Sequence, residues 1–540
     1  MGSQGTLQEM SDMMSATHPK MVDSIDLSVL EFYRGKKIFI TGATGFVGKV
    51  LIEKLFRSCP EIDKIYFLIR PKKTQDIYER TNELIQSQLY DKLRKDCPNF
   101  GDKLHPINGD ISLPGLGISS EDLKLLQENV QIVFHSAATV RFDESLRVAL
   151  QLNVLAVREL IVLAKTLRKL QVLVHVSTAY ANCERPFIEE VVYPPTVDPH
   201  KLIDALEWMD DEMLEILTPK LLKGKPNTYT YTKHLAENIL VTEGVGLPLA
   251  IVRPSIIGAA WKEPLPGWID NYNGPSGLYI AAGKGVLRTM KGDYNAVADF
   301  IPVDIPVNLM ICVAWYTAVA KPKRTLVYHS TTGGTNPFTW GEMRHVALKF
   351  LKHTPMDACF RRPYLDFRTN SYLHDYYMFV SHLLPAYAMD VFYRIIGKKP
   401  RMVRIYNRLH RTMSIMAFFT SNSWEWSYNN TDMLINAMSP EERKMFYLDP
   451  RPLHWPTYIE NYILGTKKYL LKEDMVDVPA ARAHLKKLRN IRYTFNTVLF
   501  VVLWRGLIAR SEIARNLWYL IVSLVFKFVR FFRITSTMQR

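Results

Sequence analysis

Thr41-Gly42-Ala43-Thr44-Gly45-Phe46-Val47-Gly48 lies between a short apolar run, Lys36 to Ile40, and a stretch in which Val50, Leu51 and Leu55 recur at helical spacing. The three parts read as a strand, a tight turn and a helix. Glycines at 42, 45 and 48 let the backbone turn sharply and approach a pyrophosphate, and the free N–H groups at the start of the following helix attract its charge. A lone glycine pattern is a weak signal. Here it follows a strand and opens a helix, the context that gives it meaning. Thr41, Gly42, Thr44, Gly45, Phe46 and Gly48 are therefore the expected dinucleotide-binding turn.

Working outward, the alternation repeats. Strands are predicted at Lys64 to Ile69, Leu104 to Asn108, Ile132 to His135, Val172 to Val176 and Leu249 to Val252, with helical stretches between them. Such alternation predicts an α/β fold with a doubly wound parallel sheet covered on both faces. An irregular insertion, Glu184 to Asn227, separates the fifth strand from the next helix and is placed to shape a substrate pocket. After about residue 330 the alternation fades, and Trp340 to Leu351 and Tyr376 to Ile396 read as aromatic-rich helices, with Pro385 and Gly397 kinking or ending them. Phe495 to Ala509 and Leu517 to Phe532 are strongly apolar but interrupted by Arg505, Lys527 and Arg530. Each is short for a span of ~20 residues, so one tilted span and a shallow interfacial hairpin are both acceptable. The organisation expected is a flexible leader over 1–34, a cofactor-binding domain over 35–335, a helical region over 336–490 and a membrane-anchoring tail over 491–540.

The chemistry concentrates at predicted strand ends. Arg70, followed by Pro71, Lys72 and Lys73, stands where a carboxylate would otherwise bind the ribose of NAD, and a cation there favours the 2′-phosphate of NADPH. Asp110, followed by Ile111, lies where an adenine would rest, to accept from its amino group or to cap the turn. Ala137 and Ala138 are small enough for a cofactor to lie across them. Ser177 and Thr178 end the fifth strand, and by alternation only one, for preference Thr178, faces a substrate carbonyl to stabilise its developing oxyanion. Tyr229 and Lys233 share one helical face a turn apart, so a cation is positioned to lower the phenol's pKa from ~10 and make it a usable general acid or base. Cys183 has no activating base in view, and His135 and His175 read as structural.

The 540 residues carry a formal net charge of +15, and 48% are hydrophobic. No nucleic-acid-binding signature accompanies the charge. Basic residues crowd the last sixty or so positions, among them Arg505, Arg510, Arg515, Lys527 and Arg530, which points to a membrane surface. Five cysteines without paired spacing indicate neither disulfides nor a zinc site, and no metal is expected. The polar first thirty residues do not resemble a secretory signal, although Gly2 and Thr6 satisfy a loose myristoylation pattern.

The glycine turn, Ser177-Thr178 and Tyr229-x-x-x-Lys233 resemble the extended short-chain dehydrogenase/reductases. Within them His175 to Tyr180, Val192 to Pro195, Arg253-Pro254-Ser255-Ile256, Trp261 to Pro264, Gly267 to Asn271 and Thr420 to Trp424 resemble alcohol-forming fatty acyl-CoA reductases. The resemblance covers nearly the whole chain after residue 30. It implies a Rossmann-type sheet, NADPH and a long-chain acyl-CoA substrate. It further implies a four-electron reduction through a bound aldehyde, the fatty alcohol serving ether lipids or waxes. Tyr229, Lys233, Thr178 and Ser177 would be catalytic, and Lys233, Arg253 and Pro254 would join the cofactor contacts. A peroxisomal membrane protein facing the cytosol is expected, with the endoplasmic reticulum as the other location. The rivals are a hydroxysteroid dehydrogenase or sugar-nucleotide enzyme, and a membrane protein that only senses NADPH. Oligomeric state is not legible.

Overall fold

The computed structural model describes residues 27–72 and 74–537. The myristoylation pattern at Gly2 and the cation Lys73 lie outside them. Strands β1 (Lys37–Thr41), β2 (Lys64–Ile69), β3 (Leu104–Asn108), β4 (Ile132–His135), β5 (Val172–Val176), β6 (Leu249–Pro254) and β7 (Leu326–Ser330) form one seven-stranded sheet in the order β7-β6-β5-β4-β1-β2-β3. Every neighbouring pair is parallel. The order reverses between β1 and β4, and that reversal opens a crevice at the C-terminal ends of the strands.

Helices cover both faces: α1 (Val29–Tyr33), α2 (Phe46–Ser58), α3 (Ala156–Thr166), α4 (Thr228–Glu243) and α5 (Asp304–Ala320). Successive strand residues point to opposite faces. Val172, Val174 and Val176 of β5 accordingly pack with Leu51 and Leu55 of α2 and Val313 of α5. Leu173 faces the other way, onto Leu160 of α3 and Leu235 and Ile239 of α4. A sheet sandwiched in this way buries both sides of its strands, which explains their near-continuous apolar sequences.

Two expectations, the leader and the irregular insertion, are corrected, and two features were not foreseen. Residues 29–33, assigned to the leader, form the capped helix α1, whose Val29, Phe32 and Tyr33 are buried and whose Tyr33 hydroxyl donates to Ile311 O at 2.9 Å. The seventh strand was not foreseen. The insertion over 184–227 is largely regular, with helices Pro199–Trp208 and Asp211–Leu222 started by the Asp198 and Asp210 side chains. The region after 335 also shares the sheet's core: Leu434, Met438, Phe446 and Leu448 belong to the same apolar cluster as β5 and α5. Its strand Glu425–Trp426 pairs in parallel with Phe187–Ile188 of the insertion.

The tail forms two helices, Val478–Arg510 and Glu512–Thr537. Among the described residues, one helix, Met475–Arg510, is long and apolar enough to cross a membrane by length and composition.

Candidate active site

Lys233 is turned inward from α4, its buried Nζ donating to Val176 O at 2.8 Å, so the helix is pinned to the last residue of β5. Ser177 and Thr178 follow at once. The strand's alternation sends their side chains opposite ways: Thr178 lies beside the Tyr229 phenol, while Ser177 faces the buried carboxylate of Glu237 without reaching hydrogen-bond geometry. Thr178 Oγ1 also donates to Pro254 O, at 3.4 Å, which gives Pro254 a role in holding the strand end. Tyr229, Thr178 and Lys233 thus meet at the C-terminal edge of β5.

Burial, not the neighbouring cation, dominates the electrostatics. The Tyr229 phenol is pushed up to about 12 by desolvation, only partly offset by the Thr178 hydroxyl. The Lys233 ammonium is pushed down to about 8 by the same cause, with Glu237 opposing it. The expectation that Lys233 depresses the Tyr229 pKa is therefore not met, because the ammonium is directed at the Val176 carbonyl. Burial also raises the Cys183 thiol to about 12 and holds His135 down to about 3, so neither is charged near neutrality.

The glycine turn is built for close approach. A Cβ on Gly42 would stand 2.6 Å from Ala137 N, and one on Gly48 would stand 2.3 Å from Gly42 O. Gly42 also adopts φ +79°, which side-chain-bearing residues rarely take. Gly45 begins α2 with no side-chain cap, leaving the helix N-terminus to an outside acceptor. A cradle of this shape at a helix N-terminus fits a dinucleotide's pyrophosphate. Ala137 and Ala138 border it on the β4 loop. Thr44 and Phe46 stay partly exposed in the turn, Phe46 stacking on Trp268. Thr41 is spent internally: its Oγ1 meets His135 Nδ1 at 2.6 Å and accepts from Ala137 N.

Arg70 leaves β2 largely exposed and pairs with Asp110 at 3.2 Å. Asp110, followed by the partly buried Ile111, accepts from Ser112 N and Oγ through Oδ1, so it caps its own turn.

Arg253 is turned into the core. It is fully buried, and every guanidinium N–H is occupied, by both Glu237 oxygens, the Glu189 and Val191 carbonyls and His329 Nε2. With no donor left, its place is in the scaffold behind α4.

A male sterility protein NAD-binding family model matches residues 40–310, and a male sterility protein family model matches 381–473. Fatty acyl-CoA reductase 1 of Xenopus laevis is 56% identical over 513 residues, covering 95% of this chain and 100% of that protein. The chain belongs to the fatty acyl-CoA reductase family. The human fatty acyl-CoA reductase 1 is 53% identical over the same length, and mouse fatty acyl-CoA reductase 2 is 51% identical over 511 residues, covering 95% of this chain and 99% of that protein. In fold, the chain is similar to a nonribosomal peptide synthetase reductase domain from Mycobacterium tuberculosis, with TM-score 0.56 and 18% identity over 84% of this chain and 97% of that one.

Two features of this family member were missed by reading the sequence. Asn153 sits on a widened π turn, Gln151–Leu155, and is buried. It accepts from Thr139 N, donates to Thr139 O, and donates to Thr232 Oγ1 beside Lys233, so it ties the β4 loop to α4. A π turn inside a helix is a frequent mark of a functional site, and a buried amide in an apolar helix was the available signal. The second is an aromatic wall. Phe142 stacks on Tyr229 at 5.5 Å and contacts Phe419, which packs edge-on against Tyr180. Phe419 lies in the last turn of the helix Met402–Ser421.

Proposed function

We propose that this chain reduces long-chain fatty acyl-CoA to the fatty alcohol and free CoA, using NADPH and passing through a bound aldehyde. The observation that carries the reading is the convergence of Tyr229, Thr178 and Lys233 in a chain matched over 95% of its length by a fatty acyl-CoA reductase. The glycine turn at 42–48, Ala137 and Ala138 would hold the cofactor, and Arg70 supports NADPH over NADH through charge toward a 2′-phosphate. NADPH supplies the hydride equivalents. Thr178, its hydroxyl turned from the long contact to Pro254 O, and Tyr229 would donate hydrogen bonds to the thioester carbonyl oxygen as it gains charge, and Tyr229 would give its proton to the alkoxide of the second reduction. Lys233, whose ammonium keeps donors beyond the one given to Val176 O, would hold the nicotinamide ribose. The aromatic wall of Phe142 and Phe419 supports an apolar substrate arm next to Tyr229.

The domain division at 35–335 and 336–490, with a membrane tail from 491, belongs to the same reading, adjusted for the ordered helix α1. The exposed apolar tail supports membrane association, and a peroxisomal membrane with the catalytic region in the cytosol is the proposed location, the product supplying ether lipids or waxes.

The test is to incubate detergent-purified protein with stearoyl-CoA and either NADPH or NADH and to quantify alcohol and aldehyde by mass spectrometry. Alcohol with two NADPH consumed per acyl-CoA supports the proposal. Aldehyde alone would reduce it to a two-electron reaction, and no turnover would overturn it.

A further inference from the structure

The helical segment 371–395 is amphipathic the wrong way round for water. It consists of Ser371–Met378 and Leu384–Ile395, joined through a π turn at Phe379–Leu383. Its buried stripe reads His374, Met378, His382, Ala386 and Asp390, at a strict spacing of four, and is mostly polar. Those polar groups are used: His382 Nε2 accepts from Arg288 N at 2.8 Å, and the Asp390 carboxylate accepts from the backbone N–H groups of Arg401, Met402 and Val403, capping the next helix. The outward face carries Tyr376, Phe379, Tyr387, Val391, Phe392 and Ile395, whose exposure runs from 51% for Phe392 to 77% for Ile395. A helix bathed in water presents the opposite arrangement. An apolar face of this extent marks a contact with another surface.

The π turn is held rather than loose. Pro385 lacks the N–H that would bond Ser381 O, and Arg361 Nη1 supplies the missing donor at 2.8 Å while its Nη2 bonds the Tyr406 hydroxyl. The outward face is thereby fixed on the body of the protein.

Charge identifies the occupant. The turn after the helix reads Gly397-Lys398-Lys399-Pro400-Arg401, and Arg394, Lys398, Lys399, Arg401, Arg404 and Arg408 are all exposed around it. Among the described residues none of the six forms an ion pair with a carboxylate. A two-fold dimer through this face would press two basic rims together. Anionic headgroups complement the rim, while the aromatic and aliphatic face fits the headgroup–acyl boundary. The position agrees, because Arg492 of the tail helix lies within electrostatic range of Arg288 and Arg361, and the tail becomes apolar just beyond it.

We propose that the segment 371–401 is a second membrane contact, separate from the tail, lying flat in the interface of an anionic bilayer. The helix Met402–Ser421 starts at this contact and carries Phe419 in its last turn, within the aromatic wall over Tyr229. At 1.5 Å per residue the stretch from Met402 to Phe419 bridges roughly 25 Å from the lipid surface to the candidate active site.

The test uses the full chain carrying Cys97→Ser, since Cys97 is the one cysteine not buried. Tyr387→Cys is labelled with an environment-sensitive fluorophore, and Glu83→Cys on the exposed surface of the sheet domain serves as the reference. Both are reconstituted into phosphatidylcholine vesicles with and without phosphatidylserine, and quenching by lipids spin-labelled near the headgroup is read. Severalfold stronger quenching at 387 than at 83, increased by phosphatidylserine and reversed by Lys398→Glu with Lys399→Glu, is the expected result. Equal quenching at both positions overturns the proposal. So does a concentration-dependent blue shift at 387 without lipid quenching, which would assign the face to a second copy of the chain. Insensitivity to charge reversal overturns the anionic-bilayer assignment. Ile395→Cys repeats the measurement at the far end of the face should the first variant fold poorly. The readout needs no substrate, so it stands apart from the proposed reaction.

Discussion

Lys233 Nζ and the Val176 carbonyl oxygen are 2.8 Å apart, and this bond fixes the candidate acid helix to the strand that carries the candidate oxyanion donor. One buried contact thereby sets the relative position of Tyr229 and Thr178. It also directs a proton donor of the ammonium at the strand, while burial raises the Tyr229 pKa.

Tyr229→Phe keeps the ring and its stack on Phe142 while removing the proton. General acid–base catalysis by one side chain contributes about 100- to 10,000-fold. The variant is expected to lose that factor in kcat with stearoyl-CoA, while titration of NADPH fluorescence gives a Kd within a few-fold of the parent. Unchanged turnover would remove Tyr229 from the reaction.

Lys233 makes activity and stability respond to pH in opposite senses. Its pKa in the folded chain is about 8, below the ordinary lysine value. Between those two values the unfolded chain holds the proton more tightly, so this residue's contribution to folding stability rises with pH and is least favourable below pH 8. With Lys233 acting as a cation, as proposed, reduction is expected to decline with an apparent pKa near 8 in kcat/KM. Measuring both profiles separates the roles; a rate flat through pH 9.5 would count against a catalytic cation.

Arg70→Ala tests cofactor choice. Because Arg70 is exposed and its partner Asp110 still accepts from Ser112 N and Oγ, the fold should tolerate the loss. A charge-assisted contact to a phosphate is worth about 1.5–3 kcal/mol, so kcat/KM for NADPH should drop roughly 10- to 100-fold. The value for NADH should hardly move, and equal losses for both cofactors would place the 2′-phosphate elsewhere.

The local features of the fold were legible because they are local. Ile38 to Ile40, the glycine turn and the Tyr229–Lys233 spacing each announce themselves within a few residues. β7 did not, because α5 before it is apolar on all sides and buried throughout most of its length, which erases the period that separates helix from strand. The aromatic wall joins Phe142 to Phe419 across most of the chain, a pairing no local pattern encodes. Arg253 misled for a related reason: its position at a strand end resembles a ligand contact, and only the folded chain reveals Glu237 waiting in the core.

Gly48→Ala should damage the cofactor cradle more than Gly45→Ala. The new Cβ at 48 meets Gly42 O at 2.3 Å and Ala43 Cα at 2.6 Å, both backbone atoms that cannot swing aside, whereas at 45 the nearest atom is 3.1 Å away. Overpacking of this kind costs about 1–3 kcal/mol. NADPH affinity and thermal midpoint should both fall in the first variant and change little in the second; equal effects would mean that the turn is not a tight cradle.

Arg253→Met separates scaffold from site. The guanidinium and Glu237 form a pair with essentially no solvent exposure, joined through two hydrogen bonds of 2.8 and 2.7 Å. Removing one member leaves a carboxylate buried without its counterion, a change that costs about 3–5 kcal/mol. The same guanidinium gathers the Glu189 and Val191 carbonyls of the insertion, so their hydrogen bonds are lost as well. The thermal midpoint should therefore fall steeply. The double variant Arg253→Met with Glu237→Leu, which removes both charges, should recover part of the loss, because an apolar pair needs no counterion. NADPH affinity of the folded fraction should stay near the parent value in both. If Arg253→Met instead weakened NADPH binding at unchanged stability, the arginine would have to reach the cofactor, and its assignment to the scaffold would be wrong.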